Sequence, residues 1–178
     1  DETIKSLKKI KLIKKIFVAS DSSNNKIIAK TNGVHFIKRP GILSEKHIGI
    51  IEVARFVLDK AKLDLSDYNT TCIVQVNYPF RTTETMQNII SKYFKSKFDS
   101  IIPFKKETRF SWKENKEINH DALNFLAPNK IMDTSTNINL MGIFFIGNSE
   151  KIFYDYYGNF NLGYFEIKNE LESVELNK

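Results

Sequence analysis

The residues best suited to chemistry in this chain stand at the ends of three apolar runs. Ile16-Phe-Val-Ala19 leads into Ser20-Asp21-Ser22, Val34-His-Phe-Ile37 leads into Lys38-Arg39-Pro40, and a run from Thr71 to Val76 leads into Asn77-Tyr-Pro79-Phe-Arg81. A hydroxyl beside a carboxylate, a guanidinium before a proline, and the amides of Gln75 and Asn77 with the guanidinium of Arg81 are groups that hold phosphates and the edges of bases. Each also has a local use. Asp21 or Ser22 can cap a helix, Arg39 can be a surface charge, and Thr82 or Thr83 can cap another helix with Pro79 fixing the turn. What points to a site is their shared position, because ligands of parallel α/β sheets lie outside the carboxyl ends of the strands.

The elements that must position these groups follow from periodicity. Residues 3–14 read as a helix, 16–19 as a strand, 24–31 as a short helix closed by Asn32-Gly33, and 34–37 as a strand. A helix over about 46–62 carries Ile50, Val53, Ala54, Val57, Leu58 and Ala61 on one face. Strand 71–76, a helix near 83–96 and strand 99–104 follow. The near-continuous apolar strands, alternating with helices, predict a mostly parallel sheet covered on both faces. Residues 105–138 are polar and weakly patterned, too long for a plain loop, and read as a projection or partner surface. Leu140-Met-Gly-Ile-Phe-Phe-Ile146 resumes the pattern as a buried strand with a small residue in it, and Leu162–Ile167 and a terminal segment complete the chain.

The 178 residues suit one domain, with 42% hydrophobic and 27% charged residues arguing against both disorder and membrane insertion. No run approaches the length of a membrane span and DETIKSLKKI lacks an apolar signal core, so a cytoplasmic location is expected. The lone Cys72 falls inside an apolar run and is expected to pack as a small hydrophobe. The net charge of +6 and the six lysines among the first fifteen residues invite a nucleic-acid reading. Those lysines decorate the outer side of an amphipathic helix, with no interleaved aromatics, so nucleic-acid binding is not expected. His35, His47 and His120 are scattered without metal-ligand spacing.

The order ASDS, a helix with Gly33, IKRPGILS, VQVNYPFRT and FDSIIPF resembles the acylneuraminate cytidylyltransferases, which activate sialic acid and related sugar acids. Ser20, Asp21, Arg39-Pro40, Leu43-Ser44, Gln75, Pro79, Arg81 and Asp99-Ser100 carry the likeness, which spans essentially the whole chain. It implies an α/β, Rossmann-like, three-layer nucleotidyltransferase fold with a mostly parallel sheet. It also implies attack by a sugar-acid hydroxyl on the α-phosphate of CTP, with release of pyrophosphate. Ser20, Asp21, Arg39, Gln75, Asn77 and Arg81 would then bind the nucleotide, Arg39 and Gln75 meeting the cytosine or its ribose. The family's late Asp-Ile-Asp, preceded by Glu-Ser-Val or Glu-Ser-Ile, corresponds to Glu172-Ser-Val-Glu175-Leu-Asn177-Lys178. The likeness therefore implies Glu175 and Asn177, on one face of a period-two strand, as magnesium ligands, weakened because an amide replaces a carboxylate. Residues 105–138 match the region that pairs subunits, so a homodimer is expected. The family's glycine-rich triphosphate loop has no counterpart in DETIKSLKKI, and Arg109 is the last arginine available for a sugar carboxylate. The alternative is a diverged or truncated relative that binds nucleotide or a partner without turnover.

Overall fold

The computed structural model describes residues 1–45, 47–107, 112–113, 116–117, 136–154 and 161–176. Alternation of side chains along the central strands builds two cores. In β8 (Phe145–Asn148), Phe145 faces one apolar cluster and Ile146 the other; Ile73 and Cys72 of β3 (Thr70–Ile73) divide in the same way, as do Ile102 and Ile101 of β4 (Ser100–Glu107). One cluster is closed by α1 (Glu2–Lys8) and α4 (Thr83–Lys95), the other by α3 (Ile50–Ala61) and α6 (Ser149–Tyr154). Helices therefore lie on both faces of the main sheet, and the protein is mixed α/β.

The helices start and stop for local reasons. α4 opens at Thr82, whose side-chain oxygen accepts from the Thr85 amide at 3.1 Å, and its apolar stripe buries Met86, Ile89 and Ile90. Each such side chain contributes about 1.5–3 kcal/mol relative to exposure. After α2 (Ser23–Thr31), Gly33 takes φ +59°, the left-handed conformation expected of a glycine past a helix end. The amino-terminal helix is shorter than its lysine pattern predicts, and several of those lysines are engaged locally. Lys5 pairs with Asp1 and Glu2, Lys8 donates to the Asn32 carbonyl, and Lys15 lies over the Tyr68 ring.

The strand pairing departs from the expected mostly parallel sheet. β1 (Phe17–Ser20) and β2 (His35–Lys38) form a two-stranded parallel sheet. The larger sheet has the order β3-β8-β4-β7, with β7 at Thr136–Asn139 and β9 (Leu162–Glu166) on the other side of β4. β8 is antiparallel to both its neighbours, β7 is antiparallel to β4, and β9 is parallel to β4. A small antiparallel pair, β5 (Trp112–Lys113) with β6 (Lys116–Glu117), falls within the expected projection, most of which lies outside the described residues. The reason for the difference is visible at residues 140–148. The predicted strand 140–146 is a four-residue helix, α5 (Met141–Phe144), that turns directly into β8, so the chain returns between β3 and β4 with no crossover. A strand buried on both faces reads as a continuous apolar run whichever way it points.

Asp99 locks the junction where β4 begins. Its carboxylate accepts from Lys151 Nζ at 2.5 Å and from the Asn161 amide at 2.9 Å, while its carbonyl accepts from the Asn148 amide. The Lys151 hydrogen bond, helped by the Asn161 amide, holds the carboxyl below its ordinary 3.8. A depressed carboxyl stabilises fully above its unfolded value and loses that contribution as pH falls through its own lower value. Asp99→Asn should therefore cost about 1 kcal/mol near neutral pH, where part exposure screens the pair. The gap between parent and variant in urea melts should stay constant from pH 7 to 5 and close as pH drops below 3.8.

Candidate functional site

Two groups of polar side chains form at the carboxyl ends of β1, β2 and β3. In the first, the buried Ser20 hydroxyl accepts from the Ser22 amide at 3.2 Å and from Asn25 Nδ2 at 2.8 Å, closing the turn into α2. Asp21 accepts from Ser44 at 3.3 Å and faces Arg39 Nη2 at 4.0 Å. The Arg39 amide donates to the Ser20 carbonyl, while its Nε is buried with no hydrogen-bond partner among the described residues. Ser20, Asp21 and Arg39 are thus brought together as expected, and Arg39 keeps part of its donor capacity unused.

The second group is built on the turn after β3. The Gln75 amide donates to the Gly142 carbonyl at 2.8 Å, and its side chain packs over Gly142, where no Cβ stands in the way. Arg81 points inward. Its Nη1 donates to the carbonyls of Gln75 at 2.5 Å and Ile143 at 3.1 Å, with Gly142 O at 3.5 Å, and its Nη2 donates to the Thr3 hydroxyl at 2.9 Å. Gly142 and Ile143 belong to α5, a helix too short to satisfy its own carbonyls. The guanidinium supplies the missing donors, and burial lowers it from 12.5 to about 10. Val76 and Phe80 stay exposed on the rim of the turn.

A strap formed by the last described residues closes over this turn. The expected period-two strand is instead a 3-10 turn, Glu170–Ser173, followed by irregular chain through Leu176. Glu175 accepts from Asn77 Nδ2 at 2.5 Å and from the Tyr78 hydroxyl at 3.1 Å, and the Leu176 amide donates to the Asn77 carbonyl. Burial, then the Glu175 charge, pushes the Tyr78 phenol up to about 12. Glu172 is buried, with Oε1 3.1 Å from the Thr82 hydroxyl, while its Oε2 and Asn77 Oδ1 lack hydrogen-bond partners among the described residues. The sequence reading missed Tyr78, Thr3 and Gly142 as parts of this construction. Only Gly142 left a signal, as the small residue in an otherwise bulky run.

Magnesium fits this arrangement poorly. Both Glu175 oxygens already accept hydrogen bonds from the turn, Asn177 lies outside the described residues, and no metal-holding group of three or more His, Cys, Asp or Glu occurs among the described residues. A hard cation demanding near-octahedral oxygen ligands needs more than one such carboxylate. Arg109 and His120 also lie outside the described residues. His35 stacks on Phe17 at 4.9 Å and His47 is 3.5 Å from Glu45, neither in a ligand cluster. Cys72 packs against the larger apolar cluster, and its thiol is pushed up to about 12 by burial, as befits a packing residue. No described helix is long and apolar enough to cross a membrane. Comparison with protein-family models and with curated proteins gave no match.

Proposed function

We propose that this chain is the nucleotide-binding part of a cytidylyltransferase that activates a sialic-acid-like sugar acid with CTP, giving the CMP-sugar and pyrophosphate. The observation that carries the proposal is the gathering of Ser20, Asp21 and Arg39 at one set of strand ends and Gln75 and Asn77 at another. In this reading the pyrimidine nucleotide lies across those ends. Arg39, with a buried Nε still lacking a partner, offers charge-assisted bonds to the base carbonyl or a phosphate. Gln75 presents both a donor and an acceptor to the base edge. Arg81 acts one step back, fixing the Gln75 main chain. The sugar hydroxyl attacks the α-phosphorus, the bond to the β-phosphate bridging oxygen breaks, and positioning supplies most of the rate. A homodimer in the cytoplasm, with residues 105–138 at the subunit contact, belongs to the same proposal.

The capture of Glu175 by Asn77 and Tyr78 favours a second reading, a relative that binds nucleotide or a partner without turnover. A thermal-shift titration with CTP, UTP, ATP and GTP, with and without magnesium, separates the two. At a hundredfold excess over Kd a ligand of the native state adds about 2.7 kcal/mol, or about 5–10 °C for a chain of this size. A CTP-selective shift, followed by pyrophosphate release with a sugar acid, is the expected result. A CTP shift indifferent to magnesium and without turnover selects the second reading, and no shift with any nucleotide overturns both.

A further inference from the structure

The outer edge of β9 carries a strand's worth of polar main chain and one charged side chain placed on it. β9 pairs with β4 alone among the described residues, in parallel register from Ser100↔Leu162 to Phe104↔Glu166. The pleat divides its main chain. The Asn161 carbonyl accepts from the Asp99 amide and the Ile167 amide donates to the Phe104 carbonyl, so Gly163 and Phe165, between them, turn their polar groups toward β4. Leu162, Tyr164 and Glu166 turn theirs outward.

One of those outward groups is taken by a side chain. Lys92, in the last turn of α4, donates from Nζ to the Tyr164 carbonyl, with its ammonium 6.0 Å from the centre of the Phe165 ring. Packing sets this position. α4 lies against β9, its Ile89 and Ile90 share an apolar cluster with Phe165, and Phe98, just past the helix, sits so close over Gly163 that an added Cβ would lie 2.4 Å from its ring. Among the described residues Lys92 makes no ion pair, so its charge serves the edge alone. A lysine held over an edge strand opposes further pairing, because an arriving strand must first displace the ammonium.

The edge beneath it is otherwise suited to a neighbour. Leu162-Gly-Tyr-Phe-Glu166 contains no proline and a single charge, its aromatic pair favours strand, and Tyr164 is 55% exposed. Two copies of this edge also match each other. Set antiparallel about a two-fold axis at Tyr164, each Tyr164 faces its twin and Leu162 faces Glu166, so every outward amide donates to an outward carbonyl. The Tyr164 carbonyl is the central acceptor of that ladder, and it is the group on which Lys92 stands. We infer that the outer edge of β9 is a pairing surface for the β9 of a second copy of this chain, and that Lys92 keeps it closed.

The test compares the whole chain with Lys92→Ala and Lys92→Arg by sedimentation velocity over a range of concentrations, with amide hydrogen exchange read residue by residue. The parent's own assembly is the reference. Lys92→Ala keeps a good helix former in α4 and should associate at concentrations about tenfold or more below those the parent needs. As that variant is concentrated, the amides of Leu162, Tyr164 and Glu166 should slow by about tenfold or more, while those of Gly163 and Phe165, already paired with β4, stay as they are. Lys92→Arg retains a charged donor and should behave as the parent. Adding Tyr164→Pro to Lys92→Ala removes an outward amide and none that β4 uses, so it should restore the parent's state. Lys92→Ala that associates no more than the parent would overturn the inference, as would association that leaves the three outward amides fast or survives Tyr164→Pro. A dilute parent in which those three amides are already slow would overturn it too.

Discussion

Arg81→Met should lower the unfolding free energy by about 3–5 kcal/mol, because it removes the guanidinium donor from the Gln75 and Ile143 carbonyls at once. Arg81 is 7% exposed, and its guanidinium spans the carbonyls of Gln75, Gly142 and Ile143 and the hydroxyl of Thr3. Through it, the turn after β3, the carbonyls of α5 and the first turn of α1 share one donor plate. Met matches the length of the stem and supplies no donor. Arg81→Lys should lose nearly as much, since one ammonium cannot reproduce a planar fork. Thermal melts of the parent and both variants measure the effect, expected to appear as a fall in Tm of about 10 °C. The result also assigns the residue's role. If Arg81 served a nucleotide directly, Arg81→Lys would keep parental stability and lose only the CTP shift. The geometry predicts the reverse order, with stability falling first and nucleotide binding following it.

How far such a role could be read in advance depends on what a sequence encodes locally. The Thr82 cap, the Gly33 turn and the stripe of Met86, Ile89 and Ile90 are set by neighbours within a few residues, and the structure has them where the pattern put them. The meeting of Ser20, Asp21 and Arg39 was legible for a related reason: adjacent parallel strands bring their carboxyl ends together. Direction was not legible. The run from Leu140 to Ile146 is apolar throughout, and burial on both faces hides whether it enters as a helix or in which sense it pairs. Nor could a pattern show that Arg81 turns inward, because two of its partners are main-chain carbonyls some sixty residues away that are positioned only once α5 has formed. Glu175 is similar, since its donors Asn77 and Tyr78 come from nearly a hundred residues earlier. The identity of the polar residues marked where they gather, while their long-range partners decided which of them keep unused hydrogen-bonding capacity.

Gly142→Ala is the second large effect, and it tests the site through packing and not through charge. An added Cβ would lie 2.5 Å from Tyr78 Cε2 and within 3.0 Å of Gln75 Oε1, closer than real Cβ contacts come. Gln75 could swing its amide aside, but Tyr78 is 5% exposed and tied through its hydroxyl to Glu175, so its ring has little room to yield. Moving α5 instead would pull the Gly142 and Ile143 carbonyls from Arg81. The expected cost is about 2–4 kcal/mol by denaturant melt, in the upper range for overpacking. Gly41→Ala, where nothing lies within 4 Å of the added atom, should stay within about 0.5 kcal/mol of the parent. Adding Gln75→Ala to Gly142→Ala should recover only part of the loss, because the Tyr78 contact persists; full recovery would mean that the ring yields freely and that the strap does not hold it. Because the same glycine seats both Gln75 and Tyr78, the variant should also weaken any CTP-dependent shift by more than its stability loss explains. A chain that keeps the shift undiminished would place the nucleotide on the Ser20–Asp21–Arg39 group alone.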